Sequence, residues 1–190
     1  MTTDTGSATI LLLPGLNNSG EGHWQTLWEQ ILPNAHRVDQ EEWDAPSRET
    51  WVEQLDTVIK SATTPVILVA HSLGCMLAVW WAQQHGEQAH ANKVKGALLV
   101  ALPDVEREEF PKDVRGFAPV PQSVLPFKSI VVASSDDPWG ALPRAQSWAA
   151  AWDADFHDIG ARGHINSTSG LGDWPQGRVW LEQLVVAKCT

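Results

Sequence analysis

The segment Val66–Trp81, VILVAHSLGCMLAVWW, decides how the rest of the chain is interpreted. Its first five residues are apolar at consecutive positions, which is typical of a strand covered on both faces of a sheet. From Leu73 onward the apolar residues follow a spacing of three and four, which predicts a helix. Ser72 stands at the junction, where the sequence predicts a sharp turn from strand to helix.

Small residues lie two positions on either side of this serine, at Ala70 and Gly74. A strand that packs closely against the following helix requires small residues there, and the turn holds its central residue in a strained conformation with an exposed side chain. The usual pattern is G-x-S-x-G, from which Ala70 departs by one methyl group. The first amides of the helix face the serine and favour a developing oxyanion. The pattern therefore favours Ser72 as a nucleophile over a serine in a structural turn.

Apolar runs of strand length alternate with helical patterns along the chain. The alternation predicts a single α/β domain over residues 1–190, a doubly wound and mostly parallel sheet of about six strands flanked by helices. The predicted strands are Ala8–Leu13, His36–Asp39, Val66–Ala70, Gly96–Ala101, Ser129–Ala133 and Asp155–Ile159. The predicted helices are Gly22–Leu32, Ser47–Lys60, Leu73–His85, Pro143–Trp152 and Pro175–Val186. Pro103–Pro126 has several prolines and no period, which predicts an irregular excursion over the sheet.

The composition excludes several classes of protein. Hydrophobic residues make up 43% of the chain and charged residues 19%, as in globular proteins. The net charge of −10 repels phosphate backbones, so we expect no nucleic-acid partner. No apolar run reaches the roughly 20 residues of a membrane span, and no basic region precedes the first apolar run, so we expect neither a membrane helix nor a signal peptide. Cys75 and Cys189 form no metal pattern and no disulfide framework, and we expect a cytoplasmic location.

A nucleophilic serine needs a base, and the base needs an acid that orients it. On an α/β sheet of this kind the three follow in the order serine, acid, histidine, at the carboxyl ends of strands. Asp136 and Asp137 follow a predicted strand, and from the residues alone either could be the acid while the other caps a turn. His164 lies in a glycine-flanked loop after the last strand and is the preferred base. Among the other histidines, His71 should point away from Ser72.

Two backbone amides are predicted to form an oxyanion hole. The amide of Leu73 follows the nucleophile directly, and the second donor comes from the loop after the first strand. Leu16 is the preferred donor in that loop, and Asn17 is the second choice.

Aromatic residues in loops and at element ends suggest a substrate pocket. The chain has 11 tryptophans and no tyrosine. The residues predicted to line the pocket are Asn17, Trp24, Trp139 and Trp174. His23, in the same region as Trp24, is a further possible pocket residue.

Four stretches together carry a resemblance to a known family: LLLPGLNNSGEGHWQ, VAHSLG, SSDDPW and GHINSTSGLGDWP. In this order they resemble the small single-domain serine hydrolases of the retinoblastoma-binding-protein-9 type, over roughly Ile10 to Leu184. The resemblance implies an α/β-hydrolase fold without a large lid domain. It implies a triad of Ser72, Asp137 and His164, since the family's acid directly precedes the proline or its equivalent. It also implies turnover of carboxylesters and sometimes of aminoacyl or peptide substrates, and the partner-binding motif of the vertebrate namesake is not visible.

The sequence thus predicts a serine hydrolase that cleaves small carboxylic esters through an acyl-enzyme intermediate. Its expected partner is a small-molecule ester or aminoacyl substrate, and we expect no metal, no organic cofactor and no protein partner. Two alternatives stay open. One is an aminopeptidase or amidase, and the other is a catalytically idle binding protein that kept the fold. The intact order of serine, acid and histidine favours an enzyme.

Overall fold

The computed structural model describes residues 8–186. Cys189 lies outside these residues. The segment before Ala8, on which part of the signal-peptide expectation rests, also lies outside them. The strands are β1 (Thr9–Leu13), β2 (Ala35–Arg37), β3 (Val66–His71), β4 (Val94–Val100), β5 (Lys128–Ala133) and β6 (Asp155–Asp158). The α-helices are α1 (Trp24–Ile31), α2 (Arg48–Ser61), α3 (Leu73–His85), α4 (Leu142–Ala151) and α5 (Pro175–Val186). Short 3-10 helices cover Ala89–Lys93 and Ser167–Ser169.

The six strands form one parallel sheet in the order β2-β1-β3-β4-β5-β6. Strand β3 lies inside the sheet and every one of its residues is buried, which explains its consecutive apolar residues. Its Leu68 pairs with Leu11 of β1 and with Ala97 of β4. One apolar cluster packs side chains of α2, α3 and α4 on one face, and a second packs α1 and α5 on the other. The doubly wound α/β fold predicted from the sequence is confirmed.

Several element bounds differ from the prediction by a few residues. Helix α1 begins at Trp24 because the His23 side chain accepts a hydrogen bond from the Gln25 amide and so caps the helix. Pro143 occupies the second position of α4, still within the first turn, where a proline is tolerated. Residues 101–127 contain no helix or extended strand, only one bridge from Arg115 to Ser47, as the proline content predicted. Across residues 8–186 no helix is long and apolar enough to cross a membrane.

The order in which successive strands are added to the sheet reverses between β1 and β3. Strand β2 lies beyond β1 on one side, whereas β4, β5 and β6 follow β3 on the other. In open α/β sheets, ligands bind at the carboxyl ends of the strands next to such a reversal. The loops after β1 and β3 both emerge there, and those after β5 and β6 emerge at the same edge because all strands are parallel.

Candidate active site

Ser72 occupies the turn between β3 and α3 in a strained backbone conformation, with φ 54° and ψ −125°. Its amide donates to the Val100 carbonyl at 2.9 Å, which ties the turn to the neighbouring strand. A Cβ atom at Gly74 would lie 2.1 Å from the Leu13 carbonyl oxygen, and one at Gly15 would lie 2.7 Å from the Ser72 Cβ. Close packing therefore requires glycine at both positions. The pattern around Ser72 predicted this for Gly74.

Three side chains from three loops meet at this turn. The His164 Nε2 atom lies 2.8 Å from the Ser72 Oγ, and its Nδ1 lies 2.9 Å from each carboxylate oxygen of Asp137. The carboxyl of Asp137 is 2% exposed and the imidazole of His164 is 11% exposed, so little water weakens their interaction. A carboxylate on Nδ1 fixes the tautomer in which Nε2 can accept the hydroxyl proton. The structure brings together the serine, acid and base candidates named from the sequence.

The neighbouring Asp136 faces a different part of the same loop. Its Oδ1 accepts from the Ser134 hydroxyl at 2.8 Å and from the Gly163 amide at 2.7 Å. The Ser134 hydroxyl in turn accepts from the Arg162 amide at 2.9 Å. These bonds, that from Ser134 first, lower the pKa of the Asp136 carboxyl. Asp136 thus shapes the loop that carries the histidine, while Asp137 contacts the imidazole.

The expectation for His71 was wrong. Its imidazole does not turn away from the site, because Nε2 lies 2.8 Å from the backbone carbonyl of His164 and donates to it. The next carbonyl, that of Ile165, accepts from the Trp24 indole at 2.9 Å. Ile165 itself has φ 48°, an unusual value for a β-branched residue. Two ring N–H groups therefore hold the peptide segment that carries the candidate base.

Two further imidazoles near His164 are held neutral. Burial is the main cause that lowers the pKa of His23 to about 4, and the Arg37 guanidinium and His164 lower it further. Burial likewise places the pKa of His71 well below its usual value, with His23 and His164 contributing. Their rings lie 4.6 Å apart, and those of His71 and His164 lie 4.9 Å apart. Since neither neighbour is charged near neutral pH, neither opposes a positive charge that forms on His164.

The amides around Ser72 form the second part of the site. Leu16 and Leu73 both line the cavity at the serine. Within residues 8–186, the Leu16 amide has no hydrogen-bond partner, whereas the Asn17 amide donates to the Trp43 carbonyl at 2.8 Å. The second choice for the oxyanion donor, Asn17, is therefore already engaged. Asn17 and Asn18, which both line the cavity, are left-handed at φ 63° and 65°, a conformation that asparagine adopts more readily than most residues.

The cavity at Ser72 has a volume of about 270 Å³. Asn17 and Trp139 lie in its wall as predicted, and His23 also contributes. Trp24 and Trp174 do not line it: they are 1% and 4% exposed and pack on each other beneath the site. Both tryptophans were wrongly predicted as pocket residues, because loop position in the sequence does not distinguish a buried indole from an exposed one.

Sequence reasoning also missed residues of the cavity wall. Phe110 and Pro103 come from the irregular segment after β4, and Asn166 and Ser167 follow the candidate base. The ring of Phe110 meets that of Trp139 edge to face at 6.1 Å. The irregular segment has no periodicity from which its inward-facing residues could be identified. Asn166 and Ser167 stand two and three residues after His164, and that proximity in the sequence was the available signal.

The fold and these side chains define a protein of the α/β-hydrolase class. The model of the family described as serine hydrolase matches residues 10–183, and the chain belongs to this family. The search of curated protein sequences found no match. A YdeN-like hydrolase from Pectobacterium atrosepticum is 34% identical, with a TM-score of 0.83 over 96% of this chain and 94% of that one.

Two further solved structures are similar in fold. The ydeN gene product of B. subtilis is 19% identical, with a TM-score of 0.70 over 94% of this chain and 98% of that one. The type II thioesterase BorB from the borrelidin biosynthetic cluster is 15% identical, with a TM-score of 0.65 over 94% of this chain and 93% of that one. The chain is thus a serine hydrolase by family, with the fold of α/β-hydrolases.

Proposed function

We propose that this hydrolase cleaves small carboxylic esters through an acyl-enzyme intermediate, with Ser72 as nucleophile, His164 as general base and acid, and Asp137 as the orienting acid. The observation that carries the proposal is the continuous hydrogen-bonded row from the Ser72 Oγ through His164 to Asp137, with distances of 2.8 and 2.9 Å. A nucleophile and base within hydrogen-bond reach, with the base held by a third group, is the arrangement that covalent catalysis requires.

In the first step the Ser72 Oγ attacks the ester carbonyl and His164 Nε2 takes the hydroxyl proton. The amides of Leu16 and Leu73 stabilise the negative oxygen of the tetrahedral intermediate. His164 then gives the proton to the leaving alkoxide, and the C–O bond of the ester breaks. A water molecule, activated by the same imidazole, attacks the acyl-serine and releases the acid. Asp137 stabilises the imidazolium in both steps.

The size of the cavity supports a short acyl chain. Its volume of about 270 Å³ lies just below the usual range of sites for drug-sized ligands. Each methylene adds about 0.8 kcal/mol of binding only while it is being buried. The chain 1–190 is proposed to act as one domain without a lid, of the retinoblastoma-binding-protein-9 type, and within residues 8–186 no inserted domain extends the cavity. A cytoplasmic location stays a prediction that rests on the sequence.

A panel of p-nitrophenyl esters from C2 to C16 tests this proposal, with Ser72→Ala as control. We expect kcat/KM to peak at acyl chains of about C2 to C6, because longer acyl chains extend beyond the cavity and their added methylenes are not buried. Ser72→Ala should lose about 10³-fold or more in kcat. A maximum at long chains would contradict the assignment of substrate size, and retained activity in Ser72→Ala would contradict the nucleophile.

An amidase or aminopeptidase is the second candidate within the same mechanism, and aminoacyl anilides in the same panel separate it from an esterase. The catalytically idle alternative predicts no turnover of either series. The intact contact between Ser72 and His164 favours the enzyme over the idle binding protein.

A further inference from the structure

A second cluster of titratable side chains lies away from the proposed active site. The Asp56 carboxyl, on α2, meets the imidazoles of His85 and His90. The Asp56 Oδ1 atom lies 2.6 Å from the His90 Nε2 and 3.5 Å from the His85 Nδ1, and all three groups place a ligand atom within 4.8 Å of one another. The Asp56 side chain is 7% exposed, and those of His85 and His90 are 19% and 16% exposed. The carboxylate is thus buried, while the imidazoles keep a narrow opening to solvent.

These donors match those of a zinc site in type and in spacing. His85 is the last residue of α3 and His90 lies in the 3-10 helix Ala89–Lys93, so the two are separated by four residues. Histidine pairs separated by three to five residues are common in zinc sites. Two imidazoles and one carboxylate suit zinc and its neighbours in the first transition row, whereas magnesium and calcium prefer oxygen ligands alone.

The contacts of His85 suggest an atom between the ring and the carboxylate. The Gln88 side-chain amide nitrogen lies 3.0 Å from the His85 Nδ1, and in the tautomer that accepts from it this nitrogen carries a lone pair. The same nitrogen lies 3.5 Å from the Asp56 Oδ1, which also carries lone pairs. In that tautomer both atoms can act as ligands, and a cation that binds between them takes the place of the Gln88 amide on Nδ1. A separation of 3.5 Å is close to that of two ligands on one tetrahedral zinc, given metal–ligand distances of about 2.0–2.2 Å.

We propose that Asp56, His85 and His90 form a binding site for a zinc ion, which completes its coordination with water. The His90 Nε2 now donates to Asp56, and at 2.6 Å it lies closer than two zinc ligands would. Binding therefore moves the proton from Nε2 to the Nδ1 of the same ring, through solvent, and a small rotation of the ring widens the gap. No bond other than the N–H is broken, and no net charge is lost from the imidazole.

Neighbouring groups already orient the carboxylate as they do at known metal sites. The Trp81 indole donates to the Asp56 Oδ1 at 3.1 Å, and the Lys60 ammonium lies 2.7 Å from the Oδ2. Carboxylate ligands of metals are commonly held by such hydrogen bonds from the outer shell. The Lys60 side chain is 55% exposed and can swing into solvent when a cation binds, which limits its competition.

The position of the site indicates a role in stability rather than in chemistry. Helix α3 begins beside Ser72 and ends at His85, so the site lies about 20 Å from the serine along the helix, at about 1.5 Å per residue. The three ligands join α2, the end of α3 and the 3-10 helix before β4. An ion that binds only the folded chain raises its melting temperature by mass action. We therefore expect zinc to stabilise the packing of α2 on α3 and to leave ester turnover within two-fold of its metal-free value.

Binding is tested by titrating the metal-free full chain with ZnCl₂ in a calorimeter and with CoCl₂ in a visible-absorption experiment. At zinc concentrations about ten times the Kd, the melting temperature should rise by about 3–6 °C. His85→Gln and His90→Gln should each weaken binding by at least about ten-fold and abolish the tetrahedral cobalt bands. MgCl₂ and CaCl₂ should produce no shift.

Two control variants locate the ion. His36→Gln changes an exposed histidine on β2 and should bind zinc as the unaltered chain does. His164→Ala should also bind as before, since the candidate base is not a ligand. Loss of binding in His164→Ala with retention in His85→Gln would place the ion at the serine instead and overturn the proposal. A chain that binds neither ion, while its melting temperature shows it to be folded, would overturn it as well.

Discussion

His164 is oriented from two directions, by the Asp137 carboxyl on its ring and by ring N–H groups on its backbone. The His71 imidazole and the Trp24 indole donate to two consecutive carbonyls, those of His164 and Ile165. Asp136 and Ser134 accept from the amides of Gly163 and Arg162 just before it. His164 lies in a loop, and these bonds reduce the freedom of its imidazole to turn away from Ser72.

The two adjacent aspartates are expected to differ sharply in their effect on turnover. Asp137→Asn should lower kcat by up to about 10⁴-fold, because the amide favours the wrong imidazole tautomer and cannot stabilise the imidazolium. Asp136→Asn should cost far less, since its side-chain oxygen can still accept from the Gly163 amide. Steady-state ester kinetics on both variants measure the difference. If Asp136→Asn lowers kcat more than Asp137→Asn does, the orienting acid is Asp136 and the assignment of Asp137 is wrong.

His71 is expected to act as a positioning residue. His71→Leu removes the donor to the His164 carbonyl, and a carbonyl left unsatisfied in a buried place costs about 1–3 kcal/mol. We expect kcat to fall by about ten-fold or more with KM changed less than two-fold, because the base is displaced and the cavity is not. His71→Gln supplies an amide donor and should restore part of kcat. Equal kinetics for His71→Leu and the unaltered chain would show that the bond does not position the base.

The contact among Ser72, Asp137 and His164 could be predicted from the sequence because Ser72 and Asp137 follow apolar strands, His164 follows the last strand, and the fold sets their order. The contact of His71 could not be found, since it depends on the path of a loop that lies 93 positions further along the chain. The choice between Asp136 and Asp137 needed either the resemblance or the structure, because two adjacent carboxylates present the same local pattern.

Tryptophan indoles attach irregular segments to the helices. Trp28 donates to the Asp173 carbonyl, Trp80 to that of Phe117, and Trp152 to that of Pro121. Each indole buries a large apolar ring and satisfies one carbonyl of a loop at the same time. The high tryptophan content therefore serves packing more than it serves the cavity, which is why the prediction for Trp24 and Trp174 failed.

The approach of α3 to β1 depends on one glycine. A Cβ at Gly74 would lie 2.1 Å from the Leu13 carbonyl oxygen, so Gly74→Ala must push the helix off the strand. Such overpacking costs about 1–3 kcal/mol, and we expect the melting temperature to drop by about 2–12 °C. Gly20→Ala is the matched control, because no atom lies within 4 Å of its Cβ position. Calorimetric melting of both variants decides the matter, and equal melting temperatures would contradict the close approach.

The molecule as a whole keeps two imidazoles uncharged inside it, and this makes the fold sensitive to acid. His23 and His71 are 4% and 5% exposed, and the pKa of each is lowered in the folded state. In the unfolded chain both take up protons below about pH 6.5. The unfolded state therefore binds more protons between about pH 6.5 and pH 4, and the free energy of unfolding falls as the pH drops through that interval. For His23 alone, the loss amounts to roughly 3 kcal/mol below pH 4.

His23→Asn tests this account of acid sensitivity. Asparagine caps a helix well, so α1 keeps its cap while the titrating group is removed. We expect the free energy of unfolding in urea to fall less steeply between pH 6.5 and pH 4.5 than in the unaltered chain. His36→Asn, which replaces an exposed histidine, should keep the original slope. Equal slopes for His23→Asn and His36→Asn would show that His23 does not remain neutral in the fold.

The central claim is that Ser72 is the nucleophile, and covalent labelling tests it most directly. The folded chain is treated with a fluorophosphonate, and the adduct is located by mass spectrometry of its peptides. We predict one adduct, on Ser72, and a large loss of labelling rate in His164→Ala because the hydroxyl loses its base. An adduct on another residue, or no adduct on a chain shown by its melting temperature to be folded, would contradict the account.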